Sequence, residues 1–168
     1  QAVLHEEILK GLDELFGAFE QSRQSEGDAL TILLNAGIEE IECLCQEAAG
    51  LAALLPDNIN TRLHQQVAEL CLIVPALPEE RLAQEAAMLM LKADVREELD
   101  RLRAHVIAAR ELMTTDGIIG RQFDFLCQEF NREANTLCSK SADVRLTRVG
   151  LALKSVIDQI REQVQNVE

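Results

Sequence analysis

Residues 34–55 read LNAGIEEIECLCQEAAGLAALL, and their spacing decides the fold. Leu34, Ile38, Ile41, Cys45, Ala48, Ala52 and Leu55 alternate steps of 4 and 3, which on an α-helix gives one continuous apolar seam of the coiled-coil kind. The helical pattern extends upstream to Val3 and down to about Ala53, with Leu12, Leu15, Phe16 and Phe19 marking one apolar face of the first part. Pro56-Asp57-Asn58 breaks it, because proline lacks the amide hydrogen that a helix interior needs. A return seam follows at Leu63, Val67, Leu70 and Val74. Two matched seams joined by a tight break predict an antiparallel helical hairpin.

Pro75 and Pro78 close that hairpin, and Pro78-Glu79-Glu80 is a good helix opening. A long helix is expected from about Glu79 to Met113, with Leu91, Val95, Leu99, Leu102, Val106 and Ala109 as its core stripe. Thr114 to Ile119, containing Asp116-Gly117, reads as a loop. The next helix opens near Gly120 and runs to about Leu137, burying Phe123, Leu126, Phe130, Ala134 and Leu137. A polar joint at Cys138–Ser141 leads to a last helix over about Asp143 to Gln165. The expectation is an all-α fold: a long antiparallel helical hairpin, residues 1–77, attached to a bundle formed by the last three helices, residues 78–168.

Composition agrees with this. Apolar residues make up 48 %, aromatics only 3 %, and there is no Trp or Tyr. All five Phe fall at helix-core spacing or beside it, so they read as core. The net charge of −13 argues against nonspecific nucleic-acid binding by the chain as a whole. Its distribution differs: residues 1–91 hold four Lys or Arg against sixteen acids, while residues 92–168 hold twelve against thirteen. The second half therefore has enough arginine to meet a polyanion locally. Cys43, Cys45, Cys71, Cys127 and Cys138 are odd in number and lie inside helical patterns, which fits buried, reduced thiols. His5 and His64 are isolated and read as surface residues. No apolar run approaches a membrane span, and no stretch of the sequence reads as a signal peptide. The absence of an initial methionine is read as the mark of a piece of a longer protein.

Chemistry concentrates in two polar stripes. Asp94, Glu98, Arg101 and His105 are spaced 0, 4, 7 and 11, and Asp124, Gln128, Asn131 and Asn135 repeat that spacing. On helices each stripe forms a line along one face, and the two are expected to face each other across a common cleft. Glu98, Asp124, Glu129 and Glu133 are of the oxygen-donor type that divalent cations take, and His105 would favour Mn²⁺ over Mg²⁺. Arg101, Arg121, Arg132 and Lys140 suit phosphate contact, an arginine fork matching phosphate oxygens bidentately. Metal plus arginine beside a carboxylate or histidine suits phosphodiester hydrolysis. Ordinary ion pairing explains the same spacings: Glu98 with Arg101 and Glu129 with Arg132 stand at helix salt-bridge distances that need no function.

The stretches KADVREELDRLRAH (residues 92–105), GRQFDFLCQEFNREANTLCSKS (residues 120–141) and IREQVQNVE (residues 160–168) closely resemble the bacterial YicC/YloC-like family. The resemblance is dense over about the last 90 residues and looser over the hairpin. It implies metal-dependent endoribonuclease activity in the cytoplasm of a bacterium, for a family long labelled stress-induced. It also implies RNA as partner, an N-terminal α/β domain preceding the helical region, and a homo-hexamer. The resemblance marks these polar positions without dividing their roles; from side-chain chemistry, Glu98, His105, Glu129 and Glu133 are assigned to a Mn²⁺ or Mg²⁺ ion, and Asp124 to the attacking water. Arg101, Arg121, Arg132 and Lys140 are assigned to RNA phosphate, with Asp94, Gln128, Asn131 and Asn135 in support. Departures from the family pattern are Gln122-Phe123 in place of a basic residue and Leu, Ile118-Ile119 in place of Pro-Val, and Cys138 in place of Gly or Ala. The first removes one phosphate contact. The alternative reading is a non-catalytic oligomerisation module in which the stripes are inter-subunit ion pairs.

Overall fold

A computed structural model of the chain describes residues 2–71, 79–115 and 117–165. Six helices follow one another: α1 (Ala2–Ala53), α2 (Leu55–Cys71), α3 (Glu79–Lys92), α4 (Arg96–Met113), α5 (Gly120–Lys140) and α6 (Val144–Gln165). There is no strand among the described residues. The expected all-α class is what the structure holds, and the last three helices form a bundle as expected. Pro75, Pro78, Val74 and Asp116 lie outside the described residues, as do the side chains of Leu70 and Cys71.

The bundle has one more member than expected. The α1 seam is buried along its length, with Ile41 and Ala48 fully inaccessible. It packs chiefly on α4 and α6 and only slightly on α2. Two interactions show how α1 is held there. A Cβ added to Gly37 would lie 2.7 Å from the Ile160 side chain, so the glycine sets the approach of α1 to α6, and Arg110 of α4 pairs with Glu42 of α1 at 2.5 Å. The α1 seam finds a larger apolar surface on the two bundle helices than the half-buried Leu63 and Val67 of α2 offer. Gly150 plays the Gly37 part between α5 and α6, where a Cβ would stand 2.5 Å from Cys138 Sγ.

Four other expectations are corrected. The helix expected over residues 79–113 breaks at Ala93–Val95. There the Asp94 carboxylate accepts the backbone N–H of Arg96 at 3.0 Å and binds its guanidinium at 2.6 Å, a local bond that competes with the helix ladder. Leu91, on the far side of that break, is exposed rather than core. Cys43 is also exposed, whereas Cys45 and Cys127 are buried, their thiols pushed up to about 11 and about 12 by burial. Nor are all the phenylalanines core: Phe123 and Phe130 are, but Phe16, Phe19 and Phe125 are exposed. The first two belong to the part of α1 before the bundle, where residues 5–29 are exposed throughout. His5 and His64 are at the surface as expected.

Candidate functional site

Helices α4 and α5 lie side by side with a clear register. Glu98 meets Lys140, Arg101 meets Glu133, and His105 meets Phe130. Rising numbers on one helix pair with falling numbers on the other, so the two run antiparallel. This places the first turn of α4, holding Glu97 and Glu98, beside the last turn of α5, holding Lys140. Both placements complement the helix macrodipole, which favours acids at N-termini and cations at C-termini.

The seam carries two buried carboxylates. Glu98 is 4 % exposed and Glu133 is 3 % exposed. Lys140 Nζ donates to Glu98 Oε1 at 2.7 Å, which raises the Lys140 pKa above its ordinary value. Arg101 donates to Glu97 at 2.5 Å and more loosely to Glu133 at 3.4 Å. Glu97 and then Glu133 raise the Arg101 pKa, so its charge is fixed. His105 is half-buried, its ring edge-on to Phe130 with centroids 5.6 Å apart. One atom is left over: Glu98 Oε2 is buried and has no hydrogen-bond partner. A carboxylate oxygen taken from water without a partner is costly, so its position calls for a donor or a cation.

The second stripe does not share this seam. Asp124 accepts from Arg161 Nε of α6 at 2.8 Å and from Gln128 at 2.8 Å. Arg161 first, then Gln128, lowers its pKa. Asn131 donates to Asp158 of α6 at 2.9 Å. Nine residues separate Asp124 from Glu133, about 180° around a helix at ~100° per residue. The expected common cleft is therefore absent among the described residues: the first stripe, on α4, turns to α5, and the second, on α5, turns to α6. Asp94 drops out of its stripe because Arg96, at the start of α4, takes its carboxylate instead.

The remaining candidates fall at known places. Glu129 is partly buried and pairs with the exposed Arg132 at 3.3 Å. Arg121 and Asn135 are exposed on the outer side of α5. Arg121 and Lys140 stand at opposite ends of α5, roughly 28 Å apart along its axis at ~1.5 Å per residue, too far to grip one phosphate. The structure thus brings together Glu98, Arg101, Glu133, Lys140 and, further along, His105. Sequence spacing missed Glu97, Asp158 and Arg161, the last because its partner Asp124 is 37 residues away.

Among the described residues no three or more His, Cys, Asp or Glu side chains are gathered tightly enough to hold a metal by themselves. The donor chemistry still fits a hard divalent cation in part. Such ions are held by one or two carboxylates, with water and substrate phosphate completing the shell. The free Glu98 Oε2 and the buried Glu133 are carboxylate oxygens of that type, while Lys140 occupies Glu98 Oε1.

Fold and charged seam together define a helical-bundle protein whose buried acids are matched to cations on a neighbouring helix. The chain belongs to the YicC-like endoribonuclease family, whose C-terminal region, described as "Endoribonuclease YicC-like, C-terminal", matches residues 48–168. It is 33 % identical over 165 residues to the probable endoribonuclease YicC of Haemophilus influenzae, covering 98 % of this chain and 56 % of that protein. It is 37 % identical over 136 residues to the probable endoribonuclease YicC of Clostridioides difficile, covering 81 % of this chain and 44 % of that protein. The chain thus spans about half the length of these curated relatives. Among the described residues no helix is long and apolar enough to cross a membrane.

Proposed function

We propose that this chain is the helical region of a metal-dependent endoribonuclease that hydrolyses RNA phosphodiester bonds in the bacterial cytoplasm. The single observation that carries the reading is the buried, unpartnered Glu98 Oε2 in a seam that also holds buried Glu133 and the half-exposed cations Arg101 and Lys140. The family name and the printed names of the relatives supply the reaction class.

In this reading Glu98 and Glu133 hold a Mn²⁺ or Mg²⁺ ion, with Glu129 and His105 at the margin of the site. A divalent cation there, when bound, supplies positive charge against the scissile phosphate and makes water more acidic. Arg101 and Lys140 are positioned by their carboxylates so that the heads stay near the seam and open to solvent. A phosphate arriving there finds two cations without first ordering two flexible side chains, which is the value of preorganised charge. Arg132 adds a more exposed positive group. Asp124, held by Arg161 and Gln128 on the other side of α5, has no part in the step within one chain.

The test uses the intact protein and a single-stranded RNA. Cleavage should cease with chelator, return with Mn²⁺, and be lost in both Glu98→Gln and Glu133→Gln while circular dichroism stays helical. Wild-type rates in both variants would remove these acids from the reaction.

One observation favours a second, compatible reading, self-association through α1. Ile8, Leu12, Leu15, Phe16 and Phe19 are each at least 40 % exposed. A helix with such a face is normally covered, and other subunits of a homo-hexamer are the proposed cover. Phe16→Glu with Phe19→Glu should lower the mass measured by light scattering; an unchanged mass counts against it.

A further inference from the structure

We propose that the outer ridge of α5 binds a single-stranded segment of RNA, with Phe125 as the platform on which a base stacks. The proposal rests on the ribonuclease reading above and names the form of substrate. Arg121, Phe125, Gln128, Arg132, Asn135 and Ser139 follow one another at steps of 4, 3, 4, 3 and 4, so they form one line along the helix. Every one of them is exposed. The line is about 27 Å long at ~1.5 Å per residue.

Its composition is what distinguishes it. In a chain of net charge −13 this ridge holds two arginines and no acid. The nearest acids on α5 are already engaged, Asp124 by Arg161 and Glu129 by the ridge's own Arg132, which leaves Arg121 as the ridge's principal cation. Gln128 gives its amide N–H to Asp124 and keeps its carbonyl oxygen for another donor. Phe125 is 62 % exposed and sits one turn from Arg121 and from Gln128. A single exposed apolar side chain is ordinary. An exposed ring between an arginine and amides is the combination by which proteins hold unpaired strands: cations follow the phosphates, rings take the bases, and amides meet base edges.

The same reasoning selects the partner. A duplex keeps its bases stacked inward, and an A-form groove hides their edges, so a ring on a convex helix has nothing to stack on. An unpaired strand can turn a base out. An acidic protein surface would satisfy the arginines but leave no use for the ring.

Binding is measured on the intact protein with a labelled unstructured RNA and its duplex form, in chelator so that nothing is cut. Phe125→Ala and Phe125→Leu should each weaken the single strand about tenfold, while Phe125→Tyr stays near wild type and duplex affinity barely moves. Arg121→Gln should flatten the dependence of log affinity on log salt by about one unit. Full retention of affinity by Phe125→Leu, or equal losses for both RNA forms, overturns the stacking role. If wild type both binds and cuts RNA while Phe125→Ala matches it, the ridge is wrong and the ribonuclease reading stands. If wild type neither binds nor cuts RNA, both fall.

Discussion

Toward α4, helix α5 presents Glu133 and Lys140 to Arg101 and Glu98; toward α6 it presents Asp124 and Asn131 to Arg161 and Asp158. The residue types are alike, and their states are opposite. On the α6 flank the acid is partly solvated and has two donors, so each polar group is satisfied and the network needs nothing more. On the α4 flank the acids are buried, the cations reach solvent, and one carboxylate oxygen is unmatched. A satisfied, wet network is what structure alone requires. One whose acids are buried and incompletely matched keeps an unmet demand, and that demand separates a candidate site from an ion-pair joint.

The largest expected effect breaks this contrast directly. Glu98→Gln in the intact protein should lower RNA cleavage by at least about 100-fold, the scale of losing a general acid–base group or an electrostatic stabiliser. Asp124→Asn should leave the rate close to wild type. Single-turnover cleavage at saturating metal measures both. Equal losses would make the two flanks one machine, and the contrast would fail.

Much of this architecture was legible in the chain. The steps of 4 and 3 through residues 34–55 mark a buried seam, and every seam position except Ala52 is buried. The Phe123, Phe130 and Leu137 stripe was equally plain and equally buried. Spacing states which residues share a face of one helix; it does not state which helix comes to that face. The α1 seam therefore had its burial read correctly and α2 read in place of α4 and α6 as its main partner. The two polar stripes failed for the same reason, since identical spacing on α4 and α5 says nothing about the ~180° between Asp124 and Glu133. The break at Asp94 was hidden because the apolar stripe passes through it unchanged, while a short acidic side chain offers the backbone another bond.

Stability gives the next effect. Lys140→Met leaves buried Glu98 without a partner on either oxygen, which should cost about 1–3 kcal/mol. The cost stays below that of a fully enclosed pair because Lys140 reaches water. Urea melts measure it, and adding Glu98→Gln should recover part of the loss, as coupled residues do. On the opposite flank Asp124→Asn keeps an acceptor for Arg161 and should shift the urea midpoint much less. A larger shift there would reverse the ranking of the two flanks.

The smallest effect concerns Asp94, which belongs to neither flank. Its side-chain bond from Arg96, then the backbone N–H of Arg96, hold its carboxyl down at about 2. A depressed carboxyl contributes stability that is complete above its unfolded value of ~3.9 and is lost as pH falls through its folded value. Asp94→Asn retains an oxygen for the Arg96 N–H but loses the charge and one of the two carboxylate oxygens that accept the Arg96 guanidinium. Wild type should therefore melt slightly above Asp94→Asn at pH 7. The gap should hold down to about pH 4, narrow below it, and close under pH 2, when Asp94 is itself neutral. Other depressed carboxyls, Asp124 and Asp143 among them, titrate alike in both proteins and cancel in the difference. A gap that persists below pH 2 would mean that the Asp94 amide fails as a backbone acceptor, and the break between α3 and α4 would then need another cause.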